Sequence, residues 1–303
     1  MISGSSAISI RGLTKRYGKL VAVDQIDLEV SRGEVFGFLG LNGTGKTTTI
    51  RILLDLLRPS SGNAAIFGHD CQTDSLKARA AVGYLPGEMG NYSDLTGHEL
   101  LMYLERIGGE TVSREHRNKL AQRFELSDRD LSRKLREYST GMKRKLGLIQ
   151  AFQADPFLLI LDEPTEGLDP LMQESFYDLL AEARNRGRTV FMSSHVLPEV
   201  ERVCDRIAML RKGKVVLLSS VEDARKLASR RVRVAFQQNV EVPTWLPQGY
   251  EMIEAKPRSW ILCVTGQLGA LPSFLAALPV ADLAVEEARL EDVLVKYYRD
   301  GAE

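Results

Sequence analysis

Val35-Phe-Gly-Phe-Leu39, running into Gly40-Leu-Asn-Gly-Thr-Gly-Lys-Thr47, is the stretch that decides the fold. The first five residues form a short apolar run that ends at a glycine cluster, which reads as a buried strand. Beyond the cluster Ile50, Leu53, Leu54 and Leu57 recur at helical spacing, and Pro59-Ser-Ser-Gly62 is expected to stop that helix. The order is strand, glycine loop, helix. The loop fits G-x-x-x-x-G-K-[ST], and chemistry explains its residue types. Triphosphate oxygens need several N–H donors converging on one point. Glycines let the backbone curl that tightly, and the following helix adds the positive end of its dipole. Lys46 can reach β and γ oxygens as a point charge, and Thr47 offers a hydroxyl to Mg2+. The string alone also fits an ordinary glycine-rich turn; the strand before it and the helix after it are what nucleotide binding demands. Gly40, Leu41, Asn42, Gly43, Thr44, Gly45, Lys46, Thr47 and Thr48 are therefore the expected nucleotide-binding residues.

Upstream, Val21 and Val23, then Ile26, Leu28 and Val30, follow a period of two with a slip between them, as in a bulged, half-buried strand. Downstream, residues 97–152 read as three helices, marked by Leu100 to Ile107, Leu120 to Phe124 and Met142 to Ile149. They form a helical insertion over about 90–152. Phe157-Leu-Leu-Ile-Leu161 and Thr189–Met192 are apolar on both faces, like central parallel strands, and Phe176, Leu179, Leu180 and Ala183 mark a crossover helix between them. This alternation predicts an α/β fold with a parallel sheet covered by helices.

The pattern changes near residue 226. Both tryptophans (Trp245, Trp260) and five of the eleven prolines lie beyond it. Val232, Val234 and Phe236 alternate, as do Trp260, Leu262 and Val264, while 268–278 and 290–298 look helical. The expected organisation is a main domain over 1–225 and a small α+β domain over 226–303. A chain of 303 residues has room for both.

Composition narrows the function classes. Apolar residues are 44% and charged residues 26%, so wholesale disorder is excluded. Forty Lys and Arg balance forty Asp and Glu, which argues against strong unspecific attraction to nucleic acid or anionic lipid, and no nucleic-acid partner is expected. The longest apolar runs fall far short of the roughly 18–20 residues that cross a bilayer. Met-Ile-Ser-Gly at the start carries no basic region followed by an apolar one, so no signal peptide is expected. Cys71, Cys204 and Cys263 lie far apart in no metal-ligand spacing and read as packed, reduced thiols.

Two strand ends carry further chemistry. The apolar strand at 157–161 ends in Asp162-Glu163, and ligands of parallel sheets sit beyond the carboxyl ends of strands. Alternation along a strand points the two carboxylates differently. Asp162 suits a metal, partly through its water shell, and Glu163 suits the orientation or deprotonation of an attacking water. The alternative is an acidic strand end facing lysines. Ser193-Ser194-His195 follows the other apolar strand, which puts His195 at a carboxyl end too; His69, His98 and His116 have no such position.

In order along the chain, Tyr17, the loop at 40–47, Tyr138-Ser-Thr-Gly-Met142, the strand at 157–163, Gly167-Leu-Asp169 and His195 resemble the nucleotide-binding subunit of an ATP-binding cassette (ABC) transporter, over about residues 8–220. The resemblance implies a P-loop NTPase core that binds ATP and Mg2+ and hydrolyses ATP. It implies that Tyr17 stacks on adenine. It implies a head-to-tail homodimer in which Ser139, Thr140 and Gly141 of one subunit reach the γ-phosphate held by the other, with Asp169 in the dimer loop. Lys46, Glu163 and His195 are then the catalytic residues. Thr47 and Asp162 hold Mg2+. A separate transmembrane permease is the implied partner, so the implied location is cytoplasmic, peripheral on the inner face of the membrane.

Two departures stand out. Gly87-Glu88 follows Tyr84-Leu-Pro86 where the family usually has Gln, which bears on coupling rather than on ATP binding. Thr140 replaces the first glycine of the usual Ser-Gly-Gly signature, while Gly141 is kept. The tail, ending in Leu290-Glu-Asp-Val-Leu294, resembles the C-terminal extension of bacterial drug- and lipid-exporter ATPases; it is also simply an apolar helix face. Two alternatives stay open at this point: a soluble non-transport ABC ATPase, which usually carries a long coiled-coil insert or two cassettes, and a regulatory subunit that only binds ATP.

Overall fold

The computed structural model describes residues 6–286 apart from 91, 110, 111, 228 and 267. The chain divides into two compact units, Met1–Leu218 and Ser219–Glu303, several residues ahead of the composition change near 226.

The first unit starts with an antiparallel hairpin of β1 (Ser6–Tyr17) and β2 (Leu20–Ser31). Leu13 pairs with Ile26 but Lys15 pairs with Val23, so β2 carries one extra residue between them, and Gln25 there sits at φ 50°. This is the slip visible in the apolar spacing. β3 (Val35–Leu39) is buried at every position, and the glycine loop leads directly into α1 (Lys46–Leu53). The helix stops before Leu57, short of the proline that was expected to end it. Asp55 adopts φ 56°; its N–H donates to Ile52 O (3.0 Å), and Leu56 N–H donates to Arg51 O (2.8 Å). That pair of bonds is a Schellman cap, which satisfies the last carbonyls without a glycine.

β4 (Ser61–Ile66) pairs with β1, and β5 (His69–Asp70) extends the same four-stranded antiparallel sheet, ordered β2-β1-β4-β5. After α2 (Ser75–Ala80) and β6 (Val82–Leu85) comes the helical insertion: α3 (Gly97–Gly108), α4 (Arg114–Arg123), α5 (Asp128–Leu131), a 3-10 turn at Leu135–Glu137, and α6 (Thr140–Phe152). Thr96 with Glu99, and Ser127 with Asp130, close capping boxes at the starts of α3 and α5. His98 bonds Asp128 (2.9 Å) and His116 bonds Phe152 O (3.2 Å), so both serve this insertion.

The rest of the unit alternates β7 (Leu158–Asp162), α7 (Pro170–Asn185), β8 (Thr189–Ser194), α8 (Leu197–Val203), β9 (Arg206–Arg211) and β10 (Lys214–Ser220). The main sheet has the order β10-β9-β3-β8-β7-β6, and β3/β8, β3/β9, β7/β8 and β6/β7 are parallel. β3, β7 and β8 are central and wholly buried, which is why they are apolar on both faces. The core joins the two sheets: Ile8, Ile10, Leu13 and Leu28 share one cluster with Phe36, Phe38, Ile50, Ile160 and Phe191. Phe191 stacks on Phe36 at 5.9 Å, so truncating it to Ala costs about 3–5 kcal/mol.

The second unit takes in the last two residues of β10 and holds α9 (Val221–Leu227), β11 (Ser229–Phe236), β12 (Tyr250–Lys256), β13 (Ser259–Thr265), α10 (Leu271–Leu275) and β14 (Val280–Val285). Its antiparallel sheet has the order β12-β13-β11-β14. Trp260 meets Phe236 edge-on at 4.6 Å in a core that includes Tyr250, Leu271 and Leu275. The helix expected over 268–278 is a 3-10 turn (Leu268–Ala270) followed by α10. Pro279 disfavours helical dihedrals at Leu278 before it. The expected helix at 290–298, with its Leu290–Leu294 motif, lies outside the described residues.

Candidate active site

The loop at 40–47 sits at the carboxyl end of β3, against the ends of β8 and β9. Gly40 N–H donates to Ser194 O (3.3 Å), and Gly213 N–H reaches Thr44 O (3.2 Å). Two glycines are sterically required. A Cβ at Gly40 would lie 2.4 Å from Thr44 Oγ1 and 2.8 Å from Leu210 O. At Gly45, φ is 108° and a Cβ would lie 2.4 Å from Ala22 O on β2. Gly45 is also the N-cap of α1 and brings no side-chain acceptor, so the first N–H groups of that helix stay available to an anion. Leu41, Asn42, Gly43 and Thr47 are exposed along the loop, Thr48 is half-buried, and Thr44, Gly45 and Lys46 are buried.

Lys46 turns back into its own loop. Its Nζ donates to Gly40 O (2.5 Å) and Leu41 O (3.3 Å), and lies 3.1 Å from Glu163 Oε1 as an ion pair. The other oxygen of that carboxylate, Oε2, is 2.8 Å from His195 Nδ1. A cation, a carboxylate and an imidazole from three separate segments thus form one chain at the loop. Glu163 is held with φ 51°, left-handed for a non-glycine residue. Such strain costs about 1–3 kcal/mol and persists where surrounding bonds over-determine it. Here Ser193 Oγ accepts from Glu163 N–H (3.0 Å), and Arg144 donates to Glu163 O.

Asp162 is 1% exposed, and its Oδ1 accepts from Ser193 Oγ at 2.5 Å. Its Oδ2 faces Gly87, 3.3 Å from where a Cβ at that position would lie. Thr47, Gly87, Asp162 and Glu163 line one open cleft of about 790 Å³, together with Arg51, Tyr84 and Arg144. Burial pushes the Tyr84 phenol above its ordinary pKa, and the Asp162 carboxylate adds to the effect. The thiols of Cys71 and Cys204 are raised by burial as well, Cys71 to about 12, which fits inert packed sulfurs.

The other expected residues fall in two further places. Tyr17 ends β1, half exposed, with Lys15 Nζ 5.1 Å from its ring; its partner in the hairpin is Leu20, two residues before the Ala22 that touches Gly45. Ser139 is the N-cap of α6, its hydroxyl accepting from Met142 N–H (3.2 Å). A Cβ at Gly141 would lie 3.2 Å from Gly167 O, so the signature segment faces the Gly167 loop of its own chain, with Thr140 alongside. Asp169 caps α7, accepting from Met172 N–H (3.0 Å). The sequence reading gave no role to Ser193, Arg144, Thr165 or Glu199. Glu199 is buried on α8 and accepts from Thr165 Oγ1 (2.7 Å) and Ser194 Oγ (3.3 Å), tying the turn after β7 to the turn after β8. Ser193 and Ser194 beside His195 were the available signal; the others are joined only through space.

Known proteins share this arrangement. A family model described as ABC transporter matches residues 23–166. A daunorubicin resistance ATP-binding protein of Streptomyces coeruleorubidus is 32% identical over 94% of this chain and 92% of its own length. A bacitracin transport ATP-binding protein of Bacillus licheniformis is 30% identical over 98% of this chain and 99% of its own. The solved structure of an ATP-binding subunit of an ABC transporter superposes with TM-score 0.67 and 30% identity over 73% of this chain and 92% of that one. A dimeric ATP-binding cassette bound to ADP and Pi has the same fold, with TM-score 0.63 at 22% identity over 71% and 98% of the two chains. A glycine-rich loop after β3, two carboxylates at the end of β7 and near end-to-end similarity to transport ATP-binding proteins converge on one conclusion: this chain belongs to the ABC transporter family, as an ATP-binding, ATP-hydrolysing subunit.

Proposed function

We propose that two copies of this chain close head-to-tail on MgATP and power export through a separate membrane permease. The carrying observation is the Lys46–Glu163–His195 chain, with contacts of 3.1 and 2.8 Å at the mouth of the loop. Triphosphate oxygens are stronger acceptors for Lys46 than the loop carbonyls and compete with Glu163 for its ammonium. Binding therefore releases the Glu163 carboxylate, which then takes the proton of the attacking water. His195, bonded to the same carboxylate, orients it and reaches toward the γ-phosphate. Tyr17 stacks on the adenine, and Ser139, Thr140 and Gly141 contribute N–H groups from the opposite subunit at the start of α6.

Thr47 and Asp162 fit Mg2+. They offer only oxygen, and no group of three or more His, Cys, Asp or Glu among the described residues forms a metal cage. Mg2+ usually keeps several water and phosphate ligands, so two protein oxygens would be enough to hold it here. Held there, it would supply positive charge toward the phosphate oxygens.

Export is supported by the names of the relatives, a daunorubicin resistance and a bacitracin transport ATP-binding protein. No described helix is long and apolar enough to cross a membrane. In this reading the path belongs to the separate permease, and this chain works peripherally on the inner face. The test is co-purification: Glu163→Gln, loaded with MgATP, is expected to elute as a dimer and to carry a polytopic membrane protein with it. A variant that stays monomeric under saturating nucleotide refutes the paired site.

A further inference from the structure

Arg144 is a buried charge in the first unit with no part in the proposed mechanism. It lies on α6, five residues after Ser139, and is 5% exposed. Among the described residues its hydrogen bonds all go to backbone oxygens. Nη1 donates to Pro86 O (2.7 Å) and Gly87 O (3.3 Å), while Nη2 donates to Asp162 O (2.8 Å) and Glu163 O. Its Nε is buried without a partner. Burial lowers its pKa, and the carboxylates of Glu166, Asp162 and Glu163 oppose that. One planar fork therefore holds two strand ends, the loop after β6 and the carboxylate end of β7, from a third element.

The same face of α6 packs closely on β6. A Cβ at Gly147 would lie 2.7 Å from Leu85 Cδ1, and Gln150 Nε2 donates to Tyr84 O (3.4 Å). Arg144, Gly147 and Gln150 recur every three residues, so they share one stripe of the helix. The helix that starts at Ser139 is thus anchored to the backbone that presents Asp162 and Glu163. Glu163 needs such an anchor, because its left-handed φ of 51° is unfavourable for a non-glycine residue.

We propose that Arg144 is a positioning residue for hydrolysis: it locks the Glu163 backbone in its strained conformation and ties the signature helix to the carboxylates of its own subunit. The proposal rests on Glu163 acting as the base.

The test uses the full chain with Arg144→Lys and Arg144→Gln. An ammonium cannot span four carbonyls as a planar fork does. Misplacing the base by about 1 Å is expected to lower kcat on the order of a hundredfold, with KM for MgATP within about threefold of the parent. Lys, although charged, is expected not to rescue. Because Arg144 acts through Glu163, adding Arg144→Lys to Glu163→Gln is expected to cause no further loss. Parent-level kcat in Arg144→Lys, rescue by charge alone, additive loss in the double variant, or kcat, MgATP affinity and melting temperature falling together would each overturn the proposal. Glu163→Gln alone reports on the base, so failure of that assignment is read separately from failure of the anchor.

Discussion

Replacing Glu163 by Gln keeps the shape and removes one charge. Its two oxygens now serve Lys46 at 3.1 Å and His195 at 2.8 Å. Two consequences follow, with opposite signs. Without a base, turnover falls by about 10²–10⁴-fold, the usual contribution of a positioned proton acceptor. At about 1.36 kcal/mol per decade, that is about 2.7–5.4 kcal/mol of barrier. Binding moves the other way. In the parent, nucleotide must draw Lys46 from a carboxylate; in the variant it displaces only a neutral amide. Hydrogen bonds to charged groups are worth about 1.5–3 kcal/mol and neutral ones about 0.5–1.5 kcal/mol. The difference of about 1–1.5 kcal/mol makes MgATP bind about five- to thirteenfold more tightly. Phosphate release at saturating MgATP measures the first effect, and titration calorimetry on the same preparation measures the second. Turnover within about threefold of the parent, a change under 1 kcal/mol of barrier, refutes the base. Weaker binding in the variant refutes the competition for Lys46.

Three more perturbations follow from the geometry. Gly45→Ala places a methyl 2.4 Å from Ala22 O at φ 108°, so it is expected to cost at least about 2 kcal/mol of stability and to abolish MgATP binding; a normal melting temperature with normal binding contradicts the cradle. Tyr17→Ala removes a half-exposed ring and is expected to weaken ATP about fivefold, about 1 kcal/mol, while the melting temperature stays put; unchanged affinity takes Tyr17 out of the site. Burial raises the Glu199 pKa above 4.5, against the pull of the Thr165 and Ser194 hydroxyls. The folded chain then binds the proton more readily than the unfolded one. This contribution to stability is full below pH 4.5 and is lost as pH rises through the folded value. Glu199→Gln keeps an acceptor for both hydroxyls and is expected to flatten that part of the stability profile, read by thermal melts across pH; an unchanged slope means that Glu199 is not its source.

Much of the first unit was legible in the sequence because its signals are local. The turn from Gly40 to Thr47 is tight, and the backbone there has room for little besides glycine at 40 and 45. β7 and β8 could be recognised because a strand buried on both faces is apolar at successive positions. The slip between Val23 and Ile26 showed the bulge of β2. Where a local signal competed with a longer-range one, the reading drifted. Leu57 kept the helical spacing, yet Asp55 ended α1 through a backbone cap that no side-chain pattern encodes. The antiparallel sheet was not foreseen, since β1 joins β4 across more than 40 residues of chain.

By itself the sequence determined which groups the chain can offer: a glycine-rich loop, a lysine, two carboxylates after one apolar strand and a histidine after another. Only the tertiary structure decided that Lys46, Glu163 and His195 meet, because parallel pairing of β3 with β8 and of β8 with β7 sets three strand ends side by side. It alone put Arg144 beneath Glu163 and Glu199 between two turns. The bonds from Arg144 to Pro86 and Asp162 and from Thr165 to Glu199 join residues 18 to 58 positions apart, through buried backbone oxygens and hydroxyls that carry no periodic signature.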